Sequence, residues 1–278
     1  MDGAEDFHVR FWGVRGSIAC GGPETARYGG NTSTLEIRCG SRSLVFDAGT
    51  GLRQLGHKLM PEGPLDVDIF LTHTHYDHVC GLPFFVPFFD KRNVVRIHAG
   101  HLGGAHGAIH QVLCQLMMSP LFPVPPSIFP AKLDYLDFEC GATLEPHDGI
   151  TIRTCRLSHP DQATGYRVEF GGRAICYVTD TEHKPGGLDP NILGLIAGAD
   201  IMIYDSMFSD EEHKTRVGWG HSTWNEGMRL CDAAGVKTFV AFHHDPDHDD
   251  DFMDKVAAEI AATRPGSVVA REGMILRP

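Results

Sequence analysis

With 278 residues, 42% hydrophobic and 22% charged, the chain has the make-up of a soluble globular protein, and its length suits one large domain or two small ones. No stretch approaches the roughly 20 apolar residues that a membrane-crossing helix needs, and MDGAEDFHVR at the start has neither the basic nor the apolar region of a secretion signal, so a cytoplasmic location is expected. The formal charge of −12, from 36 acids against 24 Lys and Arg with no basic cluster, counts against a long nucleic acid as partner, because such a grip draws on neutralised phosphates.

Short β-branched runs follow one another along the chain, several with the period-two alternation of a half-buried strand. They predict strands over 8–13, 34–39, 43–49, 67–73 and 94–99. Apolar residues at helical spacing then predict a helix over 103–118, and the proline-rich SPLFPVPPSIFP (119–130) reads as a rigid loop. Strands resume over 150–159, 166–170, 174–180 and 200–205. A helix over 223–234 is announced by a T-x-x-E capping box at Thr223 and Glu226 and stopped by Gly235. A strand over 238–244 and a helix over 251–263, with Phe252, Val256 and Ile260 on one face, complete the set. The 32 glycines fit many tight turns, and the expected organisation is one domain over 1–278, with strands in two sheets and helices outside. The eight cysteines include no CxxC pair, which argues against a zinc ribbon or thioredoxin-like site; Cys155 and Cys176 read as small core residues, and no disulfide framework is expected.

Histidine is the telling residue, with 17 in the chain, many of them at the ends of apolar runs. LTHTHYDHVCGL (71–82) places His73, His75, Asp77 and His78 at the end of a buried strand. Extended alternation sends His73, His75 and Asp77 to one side, and a turn lets His78 join them. Cys80, two residues on, reads as core. Two metals need more than four ligands, and His159, Asp180 and either His243 or His244 each stand where an apolar strand stops. Imidazole and carboxylate donors suit zinc, manganese or iron. Two divalent ions are expected, zinc first among them.

HxHxDH followed by a strand-end His, Asp and His resembles the metallo-β-lactamase superfamily. FWGVRGS (11–17), YGGNTST (28–34) and FDAGTGL (46–52) resemble its phosphodiesterase branch, which includes tRNase Z and cyclic phosphodiesterases; the likeness spans about residues 7–250. It implies an α/β fold, an αββα sandwich of two mixed β-sheets flanked by helices. It also implies one ion on His73, His75 and His159, the other on Asp77, His78 and His243, and Asp180 bridging both. His243 is preferred over His244 because the family ligand directly follows the apolar strand. A hydroxide held between the ions would attack a phosphodiester in line, with Asp77 orienting it and Asp47 buttressing the site. His221 in GWGHSTW, next to the helix start at Thr223, would protonate the leaving oxygen, held by Asp205 in IYDSMF.

The expected substrate is a small phosphodiester, a cyclic nucleotide or cyclic sugar phosphate foremost. tRNA 3′-end processing is an alternative, but it commonly relies on an arm between the third His and the bridging Asp, and here twenty residues separate His159 from Asp180. A non-hydrolytic di-iron oxygen-binding sensor is a second alternative; β-lactam and lactone hydrolysis rank lower. Segment 103–130 is expected to cover the pocket, with Phe122 and Phe129 either stacking on a base or packing in the core. His98, His101, His106 and His110 read as a local group, on a solvated helix face or at the substrate entrance. His183 and His248 receive no role, and a homodimer is left open.

Overall fold

Alternating apolar runs pair into two sheets of seven strands in the computed structural model, which describes residues 6–103, 107–184 and 186–278. In chain order the strands are β1 (Phe7–Gly13), β2 (Thr34–Cys39), β3 (Arg42–Phe46), β4 (Asp66–Leu71), β5 (Val94–Ala99), β6 (Lys132–Asp137), β7 (Thr143–His147), β8 (Ile150–Leu157), β9 (Ala163–Phe170), β10 (Arg173–Val178), β11 (Ile201–Asp205), β12 (Thr238–Phe242), β13 (Val268–Val269) and β14 (Ile275–Leu276). The first sheet runs β14-β1-β2-β3-β4-β5-β6 and the second β13-β12-β11-β10-β9-β8-β7. Both are mixed: β3 to β6 are parallel behind an antiparallel edge, and so are β10 to β13.

The helices are α1 (Leu52–Leu59), α2 (Tyr76–Val79), α3 (Ala108–Leu116), α4 (Pro190–Ile196), α5 (Asp210–His213), α6 (Trp224–Ala234) and α7 (Asp250–Thr263). Between the sheets, Phe11, Phe46 and Phe70 of the first meet Tyr166, Tyr177 and Phe242 of the second in one buried cluster. On the outer faces, α1 and α3 pack Leu55 and Ile109 with Val45, while α4, α6 and α7 pack Ile192, Met228 and Val256 with Met202. The expected αββα layering follows from these three clusters. No described helix is long and apolar enough to cross a membrane.

Several boundaries differ from expectation, for local reasons. Five predicted strands stop short: β3 at Phe46, β4 at Leu71, β8 at Leu157, β10 at Val178 and β12 at Phe242. At Asp47, Asp180 and His243 the backbone is left-handed, with φ of 59°, 55° and 61°, which breaks the pleat and re-aims the side chain. The helix expected over 103–118 shrinks to α3, because Gly103 and Gly107 have φ of 73° and 79°, outside the helical region. His106 lies outside the described residues. The capping box forms by half: the Thr223 side chain accepts the Glu226 N–H at 3.2 Å, but the Glu226 carboxylate pairs with Arg229. Gly235, at φ 66°, ends α6 as expected.

Candidate metal centre

The residues that follow β4, β8, β10 and β12 converge on one cluster, in two groups that share a carboxylate. Asp180 Oδ1 lies 3.8 Å from His73 Nε2 and 3.7 Å from His159 Nε2. Its Oδ2 lies 3.3 Å from both His78 Nε2 and His243 Nε2. His75 joins the first group, with Nδ1 3.1 Å from His159 Nε2. Asp77 joins the second, with Oδ2 3.2 Å from His78 Nε2 and 3.4 Å from His243 Nε2. All seven residues singled out as ligands are thus brought together.

Asp77 arrives by a route other than the expected alternation. The chain leaves the extended state at His75, the N-cap of α2, and that single helical turn carries Asp77 and His78 to the second group. His244 faces elsewhere: its Nε2–H donates to the Ala270 carbonyl at 2.9 Å, and burial pushes its pKa down to about 3.

Each imidazole partner matters for which nitrogen is free. His78 Nδ1–H donates to Asp47 Oδ2 at 2.8 Å, and His159 Nδ1–H to the Gly220 carbonyl at 2.7 Å. The Thr72 hydroxyl gives its proton to Asp47 at 3.0 Å and so accepts from His73 Nδ1 at 3.1 Å. With Nδ1 engaged in this way, each ring turns its Nε2 inward, the nitrogen a cation would use. His73 Nε2 is buried with no hydrogen-bond partner, and burial, reinforced by the neighbouring imidazoles, holds that ring well below its ordinary pKa. Burial opposes charge on Asp180, but the imidazoles of His243, His78 and His73 outweigh it and keep the carboxyl well below its ordinary range. Lone pairs and carboxylate oxygens packed so closely repel unless cations lie among them. The donor set therefore fits divalent ions, and its chemistry suits zinc, manganese or iron.

His221 stands beside the cluster, just before α6. Its Nδ1–H donates to Asp205 Oδ2 at 2.9 Å. Burial alone would lower its pKa, but the Asp205 carboxylate outweighs burial and pushes it up to about 9. Asp205 is wholly buried and also accepts the Thr181 and Met207 N–H groups, each at 3.2 Å.

Sequence reasoning missed several supports. Ser17 N–H donates to Asp77 Oδ2 at 2.8 Å. Gly16 admits the His243 ring, since a Cβ there would stand 2.5 Å from its Cε1. The Tyr177 hydroxyl donates to Asp47 Oδ2 at 2.8 Å. The Glu182 carboxylate accepts the N–H groups of Gly218 at 2.7 Å and Gly220 at 2.8 Å, clamping the loop before His221. Gly220, at φ 85°, must also be glycine because a Cβ would stand 2.4 Å from His159 Nδ1. The GVRGS segment carried a signal through its family resemblance; Tyr177 and Glu182 carried none.

Other expectations are corrected. His98 is not on a helix: it sits buried on β5, its Nε2–H donating to Asp68 Oδ1 at 2.8 Å. His101 is buried against the Thr74 hydroxyl at 3.1 Å, and burial pushes its pKa down to about 4. His110 is exposed on α3. Phe129 packs in the outer core against Phe88, and Phe122 packs behind Phe84. Two cavities flank the cluster, and none of the described residues of segment 103–130 lines either. One, of about 290 Å³, lies at Asp77 between Ile18, Tyr76 and Phe84, with the half-buried Cys80 in its wall rather than in the core. The other, of about 600 Å³, holds His221, Arg216 and Trp219. Ser17 lines both.

A family profile described as "Beta-lactamase superfamily domain" matches residues 42–244. The chain is 24% identical to a protein named ribonuclease Z from Halobacterium salinarum, with 96% of each covered. Among solved structures it is similar to a diphosphatase described as of the PhnP family, with TM-score 0.72, 16% identity and 98% of each chain covered. It is also similar to zinc-bound PqqB from Methylobacterium extorquens, with TM-score 0.72, 17% identity, and coverage of 98% of this chain and 100% of that one.

Proposed function

Because the chain belongs to the beta-lactamase superfamily, we propose that it is a hydrolase holding two divalent metal ions, and that it cleaves a small phosphodiester, a cyclic nucleotide or cyclic sugar phosphate foremost. The observation that carries this reading is the Asp180 carboxylate, whose two oxygens face two separate groups of imidazoles. His73, His75 and His159 would hold one ion, Asp77, His78 and His243 the other, and Asp180 both. Ions held there supply Lewis acidity, neutralising phosphate oxygens and acidifying water for in-line attack.

The chain's own groups do the rest. Asp77, fixed by the Ser17 N–H, orients the attacking water. His221 keeps Nδ1–H on Asp205 and has Nε2–H to give to the leaving oxygen. Asp205 fixes the ring and favours its protonated form. Asp47, Thr72 and the Gly220 carbonyl hold His78, His73 and His159 in the orientation a cation needs.

A small substrate is supported by the −12 charge and by the chain between His159 and Asp180, most of which forms β9 and β10 of the sheet itself. The alignment with the Halobacterium ribonuclease Z, 24% identical over 96% of each chain, favours a second reading, a nuclease of the tRNA 3′-processing type. Metal-loaded protein should be assayed on bis-p-nitrophenyl phosphate, 2′,3′- and 3′,5′-cyclic nucleotides, a cyclic ribose phosphate and a precursor tRNA, with metal analysis alongside. Turnover of a cyclic compound supports the first reading. Cleavage of the tRNA with no turnover of a cyclic compound selects the second, and activity on none with iron bound turns attention to oxygen binding.

A further inference from the structure

The geometry points to a substrate subsite in the cavity beside Asp77, taking the substituent that stays on phosphorus, and to a flat aromatic ring as that substituent. This rests on the phosphodiesterase reading above. Hydrolysis of a phosphodiester breaks one of its two P–O ester bonds: an open-chain diester releases that arm, while a cyclic diester keeps it tied to the retained arm through the sugar. His221, the proton donor, lies in the wall of the larger cavity, which makes that cavity the leaving-group side. The retained arm needs a different place. The smaller cavity opens at Asp77, across the Ser17 ridge that both cavities share.

Its walls suit an aromatic ring. Tyr76 and Phe84 are 71% and 54% exposed, a costly state for large rings unless a ligand covers them. Phe84 is braced from behind by Phe122, edge to face at 5.9 Å. Thr32 and Thr50 each accept the other's backbone N–H at the hydroxyl oxygen, at 2.9 Å each way, which pins that wall in place. Arg53 stands in the wall with N–H groups for the acceptor edge of a heteroaromatic ring. About 290 Å³ is at the small end for ligand pockets, enough for one ring system rather than a whole nucleotide.

Two diesters with the same leaving group separate this claim from the chemistry: bis-p-nitrophenyl phosphate retains an aryl group, and methyl p-nitrophenyl phosphate retains a methyl. In Tyr76→Ala and Phe84→Ala, kcat/KM for the aryl diester should fall roughly tenfold more than for the methyl diester, the scale of a lost base-stacking ring. Ala19→Trp, which fills the cavity, should do the same. A second arm measures binding of phenyl phosphate and methyl phosphate to the metal-loaded protein by calorimetry; the phenyl compound should bind roughly tenfold tighter, and the variants should erase that preference. Equal losses on both diesters, or no phenyl preference in binding, overturn the subsite while leaving the hydrolase reading intact. Failure to cleave either diester counts against the hydrolase reading, and the binding arm still decides the subsite.

Discussion

Gly220 accepts a 2.7 Å hydrogen bond from His159, so the loop that presents His221 also orients an imidazole of the metal cluster. Glu182 holds that loop through two backbone N–H groups. Glu182→Ala should therefore weaken metal retention and turnover together, by about 10- to 100-fold in one or both, the usual effect of removing a group that orients a ligand. Glu182→Gln, which keeps one acceptor oxygen, should recover part of the loss. Chelator competition and kcat, measured on both variants, check this; unchanged values in Glu182→Ala would remove it from the role.

Asp180 is shared by both donor groups, so Asp180→Ala should cost at least one of two ions. Elemental analysis of the purified variant reads the outcome. Full occupancy at both sites would contradict the bridging role.

His221→Ala should lower turnover about 10²- to 10⁴-fold for diesters with a poor leaving group, with metal content unchanged. The loss should shrink for p-nitrophenyl esters, whose leaving group hardly needs a proton. Equal losses on good and poor leaving groups would give His221 some other task.

The pH profile should carry the same signature. A proton donor works only while protonated, so turnover falls as pH rises through its pKa. The Asp205 carboxylate raises the His221 pKa against the pull of burial. Asp205→Asn removes that support and should move the alkaline limb to lower pH. A limb that stays in place would point to a different titrating group.

Away from the centre, Asp68 on β4 joins the two sheets by accepting from His98 on β5 and His147 on β7, each at 2.8 Å. Burial raises its pKa, but those hydrogen bonds outweigh burial and hold it below the ordinary carboxyl value. A depressed folded pKa contributes stability that is full above the unfolded value, about 3.9, and is lost as pH falls through the folded one. Asp68→Asn should cost about 2 kcal/mol at neutral pH, the scale of disrupting a buried charged hydrogen bond, and should flatten the fall in stability below about pH 4. Urea unfolding across that range tests both.

The ligand set was legible because apolar strands advertise their own ends: His73, His159, Asp180 and His243 each follow a buried run. The path of the chain between those points was less so. Nothing in THTHYDH (72–78) separates extended backbone from the single turn of α2, since four residues are too few to show a helical period. β13 and β14, two residues each, fall below any strand pattern, and β6 places Asp137 where alternation after Leu133 and Tyr135 would place an apolar residue. His98 was misplaced because proximity in sequence to His101 and His110 hid its position on β5. The cavities, built from segments near 17, 50 and 80, exist only after folding brings those loops together.

Asp47, Asp180 and His243 all hold a left-handed backbone that costs a side-chain-bearing residue on the order of 1 kcal/mol or more. Glycine would adopt the same turn without that strain, although it loses more freedom on folding. Asp47 is held against that drift by the buried donors of His78, Thr72 and Tyr177, but a mutant library sorted for heat resistance alone would face an incentive to drift toward glycine at Asp180 and His243, discarding the centre while the sandwich persists. Any effort to harden this protein needs a selection for bound metal running beside the selection for temperature.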